Sequence, residues 1–213
     1  MPTVRNTGLR ATATRRHLLR AATAGLGACL SYGISHPVSA QMPQPRTVAT
    51  PGGARHLPPE TVADLPQATW SGSARMRFFG FDVYQASLWV PPDFRASRYA
   101  QFPLALELTY LRSLRGHSIA QRSLEEMQRA GTHSPTQAQG WLAAMQQAFP
   151  DVRAGDRITG LHHPLNGARF WFNGQPSGAV ADAEFSRTFF GIWLADSTSA
   201  PDLRSALLAG ATP

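Results

Sequence analysis

Arg75 and Arg77 stand two residues apart inside an aromatic-rich stretch, Gly72 to Val90, that also holds Phe78, Phe79, Phe81 and Tyr84. A guanidinium presents a planar fork of donors, and beside a phenol it suits a carboxylate or a phenolate. The stretch reads as a β-hairpin. Side chains alternate faces along a strand, so Arg75, Arg77 and Phe79 share one side while Ala74, Met76 and Phe78 share the other. Gly80-Phe81 suits a two-residue turn with glycine first. That turn pairs residue 79 with 82 and places Arg77 opposite Tyr84 and Arg75 opposite Ala86; a turn one residue longer sets Gln85 opposite Arg77 instead. The candidate ligand-binding residues are therefore Arg75, Arg77 and Tyr84, and the competing reading leaves the arginines as solvated charges on an exposed sheet face.

Other chemistry is sparse. The chain lacks a Gly-x-Ser-x-Gly elbow, a His-Glu-x-x-His pair, a Gly-x-Gly-x-x-Gly loop and an acidic calcium loop. His162 and His163 are adjacent on a predicted strand and point to opposite faces, so they do not share a metal; a surface or strand-end role is expected. His117 and His133 fall at helix borders and are expected in solvent. Glu125 and Glu126 read as surface partners of Arg122 and Arg129 at helical spacing. The sequence has 20 arginines and no lysine, which removes Schiff-base and P-loop mechanisms. No catalytic residue, metal or cofactor is assigned.

The elements that must position the hairpin follow from periodicity. Phe102 to Leu111 alternates, with Leu104, Leu106, Leu108 and Tyr110 on one face and Ala105, Glu107 and Thr109 on the other. A helix is predicted from Ser118, as its cap, to Ala130, and a second from Pro135 to Phe149 with Ser134 as cap. Trp141, Leu142, Met145 and Phe149 form a core stripe on the second. Asp156 to His163 reads as a strand, Ala168 to Phe172 and Gly178 to Val180 flank an Asn173-Gly174 turn, and helices are predicted over 182–194 and 202–208. The order β-β-β-α-α-β-β-β-α-α indicates an α+β fold, an antiparallel sheet with helices on one face.

The first forty residues read as a signal. Thr14-Arg15-Arg16-His17-Leu18-Leu19-Arg20 matches a twin-arginine export pattern, followed by the apolar run Ala21 to Ile34 and a small-residue site, Val38-Ser39-Ala40. The run is too short to span a bilayer, so no transmembrane span is expected in the mature chain, and the expected location is the periplasm. Leu26-Gly27-Ala28-Cys29 offers the alternative of a lipid anchor on Cys29. Five arginines and no acidic residue lie before residue 41, so the formal charge of +7 falls to 15 − 13 = +2, which withdraws support from nucleic-acid binding. Residues 41–66, rich in Pro, Gly, Thr and Ala, read as a flexible leader with at most a short ordered end, and 67–210 as one domain.

Taken in order, Gly80 to Val90, Leu104 to Tyr110, Gly155-Asp156-Arg157, Phe172-Asn173-Gly174 and Phe185 to Leu194 resemble the bacterial chalcone isomerase-like family over residues 70–208. The resemblance implies an open-faced β-sandwich, a long antiparallel sheet backed by helices on one face, with a ligand cleft between the two. In the plant isomerases an early-strand arginine holds the substrate phenolate with help from a threonine, a tyrosine and a lysine. Arg75 is similar to that arginine; the threonine position falls near Tyr84 to Ala86, the tyrosine position at Ile119, and the lysine has no counterpart. Loss of those donors speaks against flavanone formation. The same fold includes fatty-acid-binding relatives anchored by an arginine and a tyrosine, which Arg75 or Arg77 with Tyr84 resembles more closely. The expected function is binding of a small acidic apolar ligand, fatty-acid-like or phenolic; the alternative is an isomerase or intramolecular lyase acting on an enone or phenolic substrate.

Overall fold

The computed structural model describes residues 56–212; the twin-arginine segment, Cys29, the Ala40 site and residues 41–55 of the leader lie outside the described residues. Six antiparallel strands form one sheet in sequence order: β1 (Thr69–Phe78), β2 (Phe81–Val90), β3 (Leu104–Tyr110), β4 (Arg157–His163), β5 (Gly167–Phe172) and β6 (Gln175–Val180). Helices α1 (Gly116–Ala130) and α2 (Pro135–Ala148) lie between β3 and β4 in the chain, and α3 (Ala183–Leu194) and α4 (Pro201–Leu207) follow β6. This is the α+β order the periodicity predicts. No helix among the described residues is long and apolar enough to cross a membrane.

Alternation sorts the sheet into two unlike faces. The helix-facing side carries Ala86, Leu88, Leu104, Leu106, Leu108, Tyr110 and Phe170, which join Met127, Trp141, Met145, Phe185, Phe190 and Leu194 in the main core. On the opposite side Trp89, Ala105, Leu161 and Trp171 form a smaller apolar cluster roofed by Leu65. A charged cluster adjoins it: Arg157 Nη1 donates to Glu107 Oε2 at 2.6 Å and lies 3.2 Å from Glu60 Oε1, while Thr159 Oγ1 donates to Glu60 Oε1 at 2.8 Å. Glu60 and Leu65 come from the segment expected to be leader. The described end of that segment forms a short 3-10 turn (Pro59–Thr61) with Thr61 buried. Leu57 and Leu65 pack on the smaller cluster, while Glu60 and Asp64 pair with Arg157 and Arg169 of the sheet.

Helix starts follow their caps. Ser134 accepts from the Gln137 N–H and Pro135 opens α2, as predicted. Asp182 caps α3 through the Glu184 and Phe185 N–H groups, and its second oxygen accepts from Trp141 Nε1 at 2.8 Å, tying α2 to α3. Helix α1 begins at Gly116, ahead of the predicted Ser118, because the Gly116 N–H donates to Asp151 Oδ1 at 2.9 Å. A cap supplied from across the fold leaves no local signal. At the sheet edges, β1 bulges at Ser71, whose carbonyl accepts the Gly210 N–H at 2.8 Å, and β6 carries Pro176 beside a bulge at Ser177.

Three polar residues lie deeper than expected. His133 is buried against the Trp141 ring, 4.7 Å between centroids, with Nδ1 3.6 Å from Glu184 Oε1. Glu126 is buried at the end of α1's inner face. His162 is fully buried, its Nδ1 2.6 Å from Ser186 Oγ and its Nε2 3.2 Å from the Ala100 carbonyl oxygen. Alternation correctly separates it from His163, but the side it faces is the core. Burial pushes the His162 pKa down from 6.5 to about 4, the Ala100 carbonyl opposing and His163 adding to the shift. The unfolded chain therefore takes up this proton first. The contribution of neutral His162 is intact above pH 6.5 and lost as pH falls from there to 4, a decline of about 3 kcal/mol at most. Urea midpoints measured across that range should drop for the parent and drop less for His162→Asn.

Candidate functional site

The β1–β2 hairpin turns on Phe79-Gly80, with φ of 47° and 80°, and not on Gly80-Phe81. Phe78 pairs with Phe81 and Arg77 with Asp82; a bulge passes over Val83, and beyond it Met76 pairs with Tyr84 and Arg75 with Gln85. Neither register expected from the sequence is the one formed. A slip of one residue exchanges the two faces of a strand, so Met76, not Arg77, lies beside Tyr84. Arg75 Nη1 and Arg77 Nε each donate to Asp82 at 2.8 Å in an exposed pairing. The Arg77 hydrogen bond, partly opposed by desolvation and reinforced by Arg75, holds the Asp82 carboxyl below its ordinary range. Both arginines stay out of the cavity wall, and Phe79 points into solvent.

Tyr84, in contrast, lines a cavity. It measures about 280 Å³ and opens between the helix-facing side of the sheet and helices α1 and α3. Its depth is apolar: Leu108, Phe149, Ile158, Phe189, Ile192 and Leu203. Its mouth is formed by the exposed residues Phe78, Arg112, Ser118 and Arg122. An enclosure of this size, mostly apolar with a few convergent polar groups, suits one small molecule.

Two phenols project into the apolar part. Tyr84 Oη accepts from Trp193 Nε1 at 3.0 Å and keeps its own proton to donate. Burial pushes the Tyr84 pKa up to about 12 and raises that of Tyr110 further, with Tyr84 adding to the latter. The rings meet edge to face, 6.2 Å apart. Both hydroxyls thus remain neutral donors. Glu126 at the wall is bound by Arg122, by Ser199 Oγ at 2.8 Å and by Arg129 at 3.4 Å. Arg122 also meets Glu125 at 3.1 Å, so its charge is matched within the protein. Arg112 differs: its guanidinium sits 5.4 Å from the Phe81 ring centroid, and no carboxylate among the described residues pairs with it. A cation at the entrance of an apolar hole is an anchor for an acid.

A family model described as chalcone isomerase-like matches residues 60–209. The chain belongs to the chalcone isomerase-like family. It is 28% identical over 145 residues to an uncharacterized protein of Haemophilus influenzae, across 67% of this chain and 70% of that one. Among solved structures, a fatty-acid binding protein of Arabidopsis thaliana superposes with a TM-score of 0.53 at 13% identity, covering 67% of this chain and 87% of the other. That likeness establishes the chalcone isomerase-like fold expected from the sequence. Of the positions that the family resemblance singled out, Tyr84 and Ile119 line the cavity and Arg75 does not.

Arg112, Tyr110, Arg122 and Glu126 were absent from the residues chosen by sequence. Tyr110 carried a signal, since it continues the inward face Leu104, Leu106, Leu108. Arg122 follows Ile119 at i, i+3 spacing, on the same helix face and the same wall. Arg112 lies in the connection from β3 to α1, where periodicity says nothing.

Proposed function

We propose that this chain binds a small acidic, apolar molecule of the fatty-acid type, with the acid group at Arg112 and the hydrocarbon in the cavity, and that it lacks chalcone isomerase activity. The observation that carries this reading is an apolar cavity whose mouth holds an arginine with no carboxylate partner among the described residues. Fatty-acid binding by the Arabidopsis neighbour on the same fold supports it by analogy. The apolar depth supplies affinity, and Arg112 supplies direction and preference for an anion. The Arg15-Arg16 pattern supports export to the periplasm; N-terminal sequencing of the exported protein should begin at Gln41, whereas a lipidated Cys29 would establish the anchored form.

Titration calorimetry with a long-chain acid and its methyl ester tests the ligand class. The acid should bind more tightly by about 1–2 kcal/mol, a charge-assisted hydrogen bond weakened by exposure to solvent. Arg112→Gln should erase that preference, and Arg75→Ala should leave it intact because Arg75 faces Asp82. Equal affinity for acid and ester sinks the assignment of Arg112.

The isomerase reading draws its support from the two neutral phenols, which could donate to an enone oxygen. No acceleration of chalcone cyclisation is expected. Turnover that disappears in Tyr84→Phe would replace the binding reading with an isomerase.

A further inference from the structure

Six large apolar side chains are strongly exposed among the described residues, and four of them, Phe78, Phe79, Phe81 and Leu111, gather at one end of the sheet. Leu111 is held there by its N–H, which donates to the Val83 carbonyl at 2.9 Å. Phe79 is 86% exposed and Phe81 64%. The ring contact that Phe79 makes is with its exposed neighbour Phe78, edge on at 4.5 Å. Its φ of 47° lies where bulky residues are strained, and asparagine or glycine would satisfy the turn better. The hairpin therefore bears a conformational cost for an aromatic that the core does not use.

The charge around the tip is one-sided. Arg75 and Arg77 share the single carboxylate of Asp82, and Arg112 lies over Phe81 without one. Aromatic rings between water and hydrocarbon, flanked by arginines at headgroup height, are the chemistry of an anionic lipid interface. Three rings at a hairpin tip offer far less than the roughly 800 Å² per partner that a stable protein interface buries.

We propose that the β1–β2 tip docks on a bilayer containing anionic phospholipid, Phe79 and Phe81 entering the interfacial layer while Arg75, Arg77 and Arg112 meet the headgroup phosphates. Phe78 and Arg112 belong both to this surface and to the cavity mouth, so docking sets the mouth against the membrane. Passage of an acid between bilayer and cavity rests on the ligand reading above; the docking itself does not.

Co-sedimentation of the full chain with vesicles of phosphatidylcholine alone, or with added phosphatidylglycerol, tests this without ligand present. The anionic vesicles should bind more protein, and salt should weaken the binding. Phe79→Ser with Phe81→Ser should lower the partition coefficient about tenfold, and Arg112→Gln about fivefold. The residues before the domain are the same in every variant, so the differences report on the tip. Dodecanoic acid binding, measured in the absence of vesicles, should be unchanged in Phe79→Ser alone, whose ring lies outside the cavity wall and away from Arg112, which separates docking from the cavity, and an unchanged urea midpoint shows that the double variant is folded. Equal partitioning of parent and double variant overturns the proposal, as does a parent that self-associates through the tip while ignoring vesicles. Vesicle binding without acid binding would leave docking in place and remove the ligand reading.

Discussion

Replacing Phe189 with alanine is expected to cost about 3–5 kcal/mol of folding stability, the range for deleting a large aromatic from a packed interior. Phe189 is buried on α3, and its ring meets those of Phe149, Phe170, Phe185, Phe190 and Trp193 at centroid distances of 5.2–5.9 Å. Offset and edge contacts of this kind add to the burial of area. The same ring also forms part of the cavity wall. Its removal should therefore have two separable consequences: a lower urea midpoint at unchanged slope, and an enlarged hole that accepts longer or bulkier acids at measurable affinity. A loss below 1 kcal/mol would mean that the aromatic cluster is loosely packed. Unchanged chain-length preference in a folded variant would mean that the ligand does not reach α3.

Gly116→Ala should be comparably damaging, at about 3 kcal/mol or more, although it adds a single methyl group. The first residue of α1 is seated so closely on the segment after α2 that a Cβ would collide with the Phe149 carbonyl oxygen. Backbone cannot swing aside as a side chain can, and overpacking of this kind displaces whole elements. The movement would also pull the Gly116 N–H from Asp151 and shift Ser118, Ile119 and Arg122 at the cavity wall. Denaturation midpoints check the stability loss, and a folded variant should show weakened acid binding. Tolerance of alanine without loss of either property would show that α1 can slide and that its seat is not fixed by this contact.

Element order and type were legible because they depend on local repetition. Leu104, Leu106, Leu108 and Tyr110 declare a strand and its buried side, and Ser134-Pro135 declares where α2 starts. Leu104 to Tyr110 is also one of the blocks that carry the resemblance to the chalcone isomerase-like family, beside Gly80 to Val90, Gly155 to Arg157, Phe172 to Gly174 and Phe185 to Leu194. The site was less legible because a cavity joins residues whose relation is set by register. Choosing Gly80-Phe81 over Phe79-Gly80 moves the pairing by one, and the bulge at Val83 moves it again. Those two small irregularities decide whether arginine or Met76 stands beside Tyr84. Burial of His162 and Glu126 was hidden for a related reason: each polar side chain is accommodated by partners distant in sequence, Ala100 and Ser186 for one, Ser199 for the other.

The two outer strands have a consequence for behaviour at high concentration. Among the described residues the sheet ends in two outer strands, β1 and β6, and such margins template the addition of further chains unless something blunts them. Here the irregularity at Ser71 and the Gly210 N–H bonded to its carbonyl interrupt one margin, while Pro176, which offers no N–H, and the bulge beside it interrupt the other. Growth by margin-to-margin stacking is thereby discouraged on both sides. Concentrated solutions of this domain should therefore resist strand-by-strand fibril growth, even with an exposed aromatic apex on each copy.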